Sequence, residues 1–179
     1  MNSNRKVAIW VGIFILLAYV VLVNTLTDSK LLVTSLEVIS GLAVIGIAVL
    51  LFPILKTFNK KLTKWYLSLK FVEGLLMVVA GFLFLSLSLA ARDSIYLVHT
   101  YVFIVSAFML YWLLYQSRIV PRYISIWGMI AIIILLIVNS IEVAGVNSII
   151  LTSLYAPIIL NEVYLAGFLI FKGFKISRY

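Results

Sequence analysis

Cysteine is absent from this 179-residue chain, and proline, histidine and charged residues are scarce. The absence of cysteine excludes disulfides, thiolate metal sites and cysteine nucleophiles. Charged residues make up only 11% of the sequence, whereas a soluble domain has about 25%. Hydrophobic residues make up 65%, compared with roughly half in a soluble domain. The composition is typical of an integral membrane protein, and the length fits a single membrane domain over residues 1–179.

Motifs of familiar enzymes are also absent, since no nucleophile elbow, phosphate-binding loop, zincin helix or nucleotide fingerprint occurs. The sequence leaves catalysis open but favours a protein that is not an enzyme and has no cofactor. The net charge of +8 could suggest nucleic-acid binding. The basic residues instead lie in short clusters between apolar runs, where they set membrane topology, so no nucleic-acid partner is expected.

Long apolar runs dominate what is present, and each has the roughly 20 residues that a membrane helix needs. They predict an all-α polytopic bundle of six transmembrane helices at 7–26, 31–55, 65–90, 95–116, 123–143 and 150–171. The first run is too long for a signal peptide and no cleavage site follows it, so we expect it to remain as the first span. Because the connectors are short, consecutive spans should be antiparallel neighbours.

The basic residues also predict the orientation of these spans. Lys30 and Arg92 alone fall on one side of a bundle that crosses six times. Eleven fall on the other side: Arg5, Lys6, Lys56, Lys60, Lys61, Lys64, Arg118, Arg122, Lys172, Lys175 and Arg178. The positive-inside rule therefore places both termini in the cytoplasm, in the cytoplasmic (inner) membrane if the source is prokaryotic.

A first polar group of two acids and one base lies in predicted spans 3 and 6. Lys70 and Glu73 share a face of span 3 three residues apart, so they can form an ion pair. Glu162 lies near the middle of span 6, and we expect it to point into the bundle toward Lys70 or Glu73. Its neighbours Asn161 and Tyr155 complete the predicted network, which is either a structural ion cluster or a site for a ligand or a proton.

Pro157 lies inside the same span, five residues before Glu162. A proline removes a backbone donor, so we expect a packed kink. A transporter-style broken helix is not expected, because no second span shows a matching break.

A second polar group is predicted near the outer ends of the spans. It comprises Glu37, His99, Asn139 and Glu142. The spacing of these residues matches no usual metal motif and the chain has one histidine, so water-satisfied side chains are expected rather than a metal site. Arg118 and Arg122, on either side of Pro121, are interpreted as topology signals that can also contact anionic lipid headgroups.

Four ordered blocks resemble a known family. They are LFPILK (51–56), LSLKFVEGLLMVVAG (67–81), LLYQSRIVPRYISIWGMI (113–130) and APIILNEVYLAGFLIFKGF (156–174). They are similar to domain-of-unknown-function family 4386, small six-span membrane proteins of bacteria and archaea.

The family pattern has a basic residue and then a glutamate in span 3, an Arg-x-x-Pro-Arg turn after span 4 and a glutamate in span 6. The matching positions here are Lys70, Glu73, Arg118, Pro121, Arg122 and Glu162. The resemblance implies that arginine is commoner at position 70, and lysine lacks its bidentate fork. It implies no activity.

Three functional classes fit these features. The first is a membrane binding or interaction module that holds a lipid, a small amphipathic ligand or a partner helix. The others are a small proton-coupled carrier, and an intramembrane enzyme that uses Glu73 and Glu162 as acid and base on a lipid-like substrate. We favour the binding module, because the chain is very small for a carrier. The expected partners are the bilayer and that ligand, while a second copy or another membrane protein stays open.

Overall fold

The computed structural model describes residues 3–26, 29–86, 88–146 and 148–175, without the side chains of residues 3, 24 and 25. Arg178, one of the predicted topology residues, lies outside these ranges. Within them the chain is all-α and has no strand. The elements in order are α1 (Ser3–Ala18), the 3₁₀ segment η1 (Tyr19–Leu26), α2 (Lys30–Leu55), α3 (Lys60–Leu85), α4 (Leu89–Ser117), α5 (Arg122–Val143), α6 (Ile149–Ser153) and α7 (Ala156–Phe171).

Over the described residues, these elements form six stretches long and apolar enough to cross a membrane. The first combines α1 with η1, and the sixth combines α6 with α7. Large apolar side chains cover the outside of the bundle, among them Leu42, Val49, Ile130, Ile137 and Leu160. An apolar surface this extensive is stable against lipid chains and costly in water. The chain is therefore a multi-pass membrane protein, as its composition predicted.

The six spans form a closed ring. Each span packs against the next along the chain, and α1 packs against α7 to complete the circle. Arg5 lies beside the end of α7, Gly12 beside Ala166 and Tyr19 beside Glu162. Residue numbers therefore fall along span 6 as they rise along span 1, which makes these two spans antiparallel.

The backbones of α2 and α3 approach each other closely where two glycines face one another. A Cβ atom added to Gly41 would lie 2.5 Å from the carbonyl oxygen of Gly74, and the converse distance is also 2.5 Å. Small residues at a helix crossing allow backbones to approach and gain dispersion contacts, which replace the hydrophobic effect as the driving force in lipid. This crossing fixes the register that brings Glu37 beside Gly81.

The predicted end of span 3 and start of span 4 are wrong. Span 3 was expected to run to residue 90, but α3 ends at Leu85 and α4 has begun by Leu89. The predicted connector, ARDS at 91–94, lies within the first turns of α4. Apolar periodicity could not show this, because the residues on both sides of the boundary are apolar. Arg92 lies within α4 and forms an ion pair with Glu37.

Spans 1 and 6 both depart from regular α-helix, which corrects the prediction of one packed kink and no matching break. Span 6 is interrupted at Leu154 and Tyr155, and Pro157 lies in the first turn of α7. A proline there leaves the hydrogen-bond ladder intact, since the first-turn N–H groups have no intrahelical partner. Span 1 changes from α-helix to 3₁₀-helix at Tyr19.

Candidate functional site

A cavity of about 370 Å³ lies in the centre of the ring, and every span contributes to its wall. The first, second and fifth spans supply mostly apolar side chains, while the third, fourth and sixth supply most of the polar ones. Its polar or aromatic lining residues are Tyr19, Tyr66, Lys70, Glu73, Tyr96, His99, Thr100, Phe103, Tyr155 and Glu162. An apolar chamber with a few convergent polar groups is the usual form of a small-molecule site.

Lys70 and Glu73 form the ion pair that their spacing predicted. The Lys70 ammonium Nζ lies 2.8 Å from Glu73 Oε1, and both side chains are buried. The second carboxylate oxygen of Glu73 accepts a hydrogen bond of 2.5 Å from the Ser106 hydroxyl on α4. The ammonium also lies 5.2 Å from the centre of the Phe103 ring, a cation–π distance. Both charges are therefore compensated locally, between α3 and α4.

Glu162 also lines the cavity, and it has no ion pair among the described residues. Its Oε2 accepts a hydrogen bond of 3.0 Å from the Tyr19 hydroxyl, at the point where span 1 becomes 3₁₀-helical. The expected partners of Glu162 were Lys70 or Glu73. All three line the cavity, but the lysine contacts only the nearer carboxylate, because three residues on one helix bring that carboxylate within direct reach.

The two neighbours predicted to join Glu162 have different positions. Asn161 faces away from the cavity and donates a hydrogen bond of 3.0 Å to the carbonyl oxygen of Ile124, which ties α7 to α5. Tyr155 does line the cavity, but its hydroxyl donates to Glu142 rather than Glu162. Seven residues of α-helix rise about 10 Å, so Tyr155 and Glu162 can share a face of α7 without their side chains meeting.

The residues of the predicted outer cluster do not come together, and each has different neighbours. Arg92 Nη2 lies 2.6 Å from Glu37 Oε1, and the Tyr96 hydroxyl donates to the same oxygen at 2.8 Å. Glu142 accepts from Tyr155, while Asn139 is buried in α5. His99 lines the central cavity. No three acidic or histidine side chains converge as a metal site within the part of the chain that the structure describes.

Four residues of the polar groups had no functional role assigned from the sequence. Tyr19 and Tyr66 line the cavity, and each interrupts an apolar run with a hydroxyl group. Ser106 donates to Glu73, and Arg92, which was assigned to a connector, pairs with Glu37. A hydroxyl in an apolar span was the signal available. The sequence could not predict which way the Tyr19 side chain points, because this segment is a 3₁₀-helix and does not follow the 3.6-residue period of an α-helix.

The basic end of the bundle carries Arg118, Arg122, the start of α1 and the end of α7. Arg118 and Arg122 are exposed, and the Arg122 guanidinium stacks 4.9 Å from the Tyr115 ring. Their contact with lipid headgroups stays a prediction. Arg5 donates to three carbonyl oxygens at the end of α7, those of Leu169, Ile170 and Phe171. It thus caps that helix, a role beyond the topology signal predicted for it.

A second recess, of about 680 Å³, lies on the lipid-facing side between α3 and α4 at the basic end. Its wall includes Lys61, Trp65 and Trp112. Tryptophans with a flanking lysine at a helix end are typical of the interfacial belt of a membrane protein. This recess is open and holds no acidic group, so the central cavity is the stronger candidate site.

A family model described as Domain of unknown function (DUF4386) matches residues 80–173, which are 94 of the 179 residues. The matched range includes Arg118, Pro121, Arg122 and Glu162, while Lys70 and Glu73 precede it. No curated protein and no solved structure matches the chain.

Proposed function

Because the chain belongs to the DUF4386 family, which is described only as a domain of unknown function, we propose its function from the cavity. The protein is a membrane binding module that holds a small amphipathic ligand inside the six-span ring. The polar part of the ligand lies between the Lys70–Glu73 pair and Glu162, and its apolar part lies against the aliphatic wall.

The observation that carries this proposal is the incomplete pairing of the cavity wall. A network with a purely structural role would be fully paired, because an unpaired buried polar group destabilises the fold. Here the Tyr66 hydroxyl and His99 Nε2 have no hydrogen-bond partner among the described residues, and Glu162 has a tyrosine but no cation. All three line the same cavity, so one ligand could satisfy them together.

The size of the cavity limits the size of the ligand that it can hold. A volume of about 370 Å³ lies at the lower end of the roughly 300–1,000 Å³ typical of small-molecule sites. This supports a compact amphipathic molecule rather than a whole diacyl lipid.

Access to the cavity is proposed to run between η1 and the start of α7. Close packing between spans 1 and 6 involves α1 and α7, whereas η1 packs against α2. Leu22 lines the cavity and is also half exposed, so the wall is thin here. A lateral path of this kind would admit a ligand already dissolved in the bilayer.

We also propose that the protein lies in the cytoplasmic membrane with both termini inside. The support is the charge asymmetry, since the basic clusters at the ends of α2, α4 and α7 share one end of the antiparallel ring. A green fluorescent reporter after Tyr179 should fluoresce when the chain is expressed in bacteria, whereas a periplasmic alkaline phosphatase reporter at that position should be inactive. The reverse pattern would refute this orientation.

Adjacent residues on α7 offer a matched test of ligand binding. Ile159 lines the cavity, whereas Leu160 faces outward and is exposed. We expect Ile159→Trp to fill part of the cavity and exclude the ligand, while Leu160→Trp adds the same side chain to the lipid face. Native mass spectrometry of protein released from nanodiscs should show a bound small molecule in the wild type and in Leu160→Trp, and its loss in Ile159→Trp.

A bare mass for the wild type would contradict the proposal, as would an adduct that survives in Ile159→Trp. Equal unfolding temperatures of the two variants would show that loss of the adduct does not arise from misfolding.

A further inference from the structure

The three acids on the inner faces of α2, α3 and α7 differ in whether a cation pairs with them. Glu37 is paired with Arg92 at 2.6 Å, and Glu73 with Lys70 at 2.8 Å. Glu162 has only the neutral Tyr19 hydroxyl among the described residues. The central cavity therefore contains two carboxylates and one ammonium, so its formal charge is −1 unless a proton or another cation joins it.

We propose that the central cavity binds a small organic monocation, which displaces a proton from Glu162. The inference rests on the proposed function, because it names the chemical class of the ligand in that same site. In the exchange, Glu162–COOH loses its proton to solvent, and the resulting carboxylate pairs with the cation. One positive charge leaves and one arrives, so the charge of the cavity is unchanged and no covalent bond to carbon is made or broken.

The wall around Glu162 suits a cation of this kind. Aromatic rings from four spans line the cavity, and tyrosine and phenylalanine faces attract organic cations through their quadrupoles. They are Tyr19, Tyr66, Tyr96, Phe103 and Tyr155, and the Tyr19 hydroxyl donates to Glu162. The position of the Lys70 ammonium over Phe103 shows that one of these faces already receives a cation from the protein itself. An anionic ligand would meet two carboxylates and is disfavoured.

Other titratable groups line the same cavity, and a proton released by one of them must be distinguished from a proton released by Glu162. They are Lys70, Glu73 and Tyr66 on α3, Tyr96 and His99 on α4, and Tyr19 and Tyr155 from spans 1 and 6. Phenols are neutral near pH 7, and Lys70 and Glu73 are engaged with each other. His99 is therefore the main rival source of a released proton, and α2 and α5 contribute apolar lining residues.

The experiment compares benzyltrimethylammonium with neopentylbenzene, its uncharged isostere, in the same detergent. The quaternary cation cannot bind or release a proton, so any proton must come from the protein. Calorimetric titrations near neutral pH, in buffers of different ionisation enthalpy, give the number of protons released. We expect the cation to bind with release of about one proton, and the isostere to bind more weakly with none.

Two variants identify the residue that releases the proton. Glu162→Gln keeps the size of the side chain and should weaken cation binding by about 30-fold or more, with no proton released. His99→Gln should still release about one proton per cation bound. Release that persists in Glu162→Gln, or that disappears in His99→Gln, would overturn the assignment to Glu162.

The remaining outcomes distinguish failure of the cation proposal from failure of the proposed binding function. If the cation and the isostere bind equally and no proton is released, the cavity holds an amphipathic ligand but the charge class is wrong. If neither probe binds, the inference fails, and the proposed function is judged by the Ile159→Trp and Leu160→Trp comparison alone.

Discussion

Replacing Lys70 with methionine should destabilise the protein by about 3–5 kcal/mol, as expected when one partner of a buried ion pair is removed. The Glu73 carboxylate, which is 1% exposed, would keep the Ser106 hydroxyl as its one partner among the described residues. A single neutral donor cannot offset the cost of a carboxylate inside an apolar bundle. Unfolding in a fixed detergent, followed by circular dichroism, measures the loss.

Lys64 on the same helix provides the matched control, because its side chain is exposed. Lys64→Met should change stability little, as is usual for surface substitutions. The double variant Lys70→Met/Glu73→Leu should recover most of the loss, since Ser106 can still donate to the Phe103 carbonyl. If Lys70→Met were as stable as Lys64→Met, the pair would not be buried as described.

Adding one methyl group at the α2–α3 crossing should have the second large effect. In Gly41→Ala or Gly74→Ala the new Cβ would start 2.5 Å from a carbonyl oxygen of the facing helix. A backbone atom cannot rotate away as a flexible side chain can, so the helices must separate. We expect each variant to lose about 1–3 kcal/mol or more, which thermal unfolding measures.

Gly167→Ala on α7 is the control for this crossing, because no atom lies within 4 Å of its added Cβ. Alanine favours helix over glycine by up to about 1 kcal/mol, so this variant should be as stable as the wild type or slightly more stable. Equal stability of Gly41→Ala, Gly74→Ala and Gly167→Ala would show that the α2–α3 crossing is looser than the structure indicates.

The sequence predicted the parts of the fold that depend on local composition. Six apolar runs of sufficient length predicted six spans, since the thickness of a bilayer sets a minimum length for a helix. The Lys70–Glu73 pair was predictable for the same kind of reason, because a separation of three residues on one helix fixes two side chains on one face. Neither prediction required knowledge of the neighbouring spans.

The partner of Glu162 could not be predicted, because it depends on contacts between spans distant in sequence. Tyr19 reaches Glu162 from the start of the 3₁₀ segment, and the Tyr155 hydroxyl donates to Glu142 on α5. Irregular backbone in a membrane protein is stable only where surrounding groups satisfy it. Hydropathy reports none of those groups, so the sequence indicated a buried glutamate without its environment.

Glu162 faces an internal cavity as an acid that has no ion pair among the described residues. An experimental structure of the wild-type protein in lipid nanodiscs, prepared without added ligand, is the most direct test of this arrangement. We expect Glu162 to lie more than about 4 Å from Lys70, beyond salt-bridge distance, with non-protein density in the cavity beside its carboxylate. A Lys70 ammonium bridging Glu73 and Glu162, with the cavity closed around it, would refute the proposed site and make the network structural.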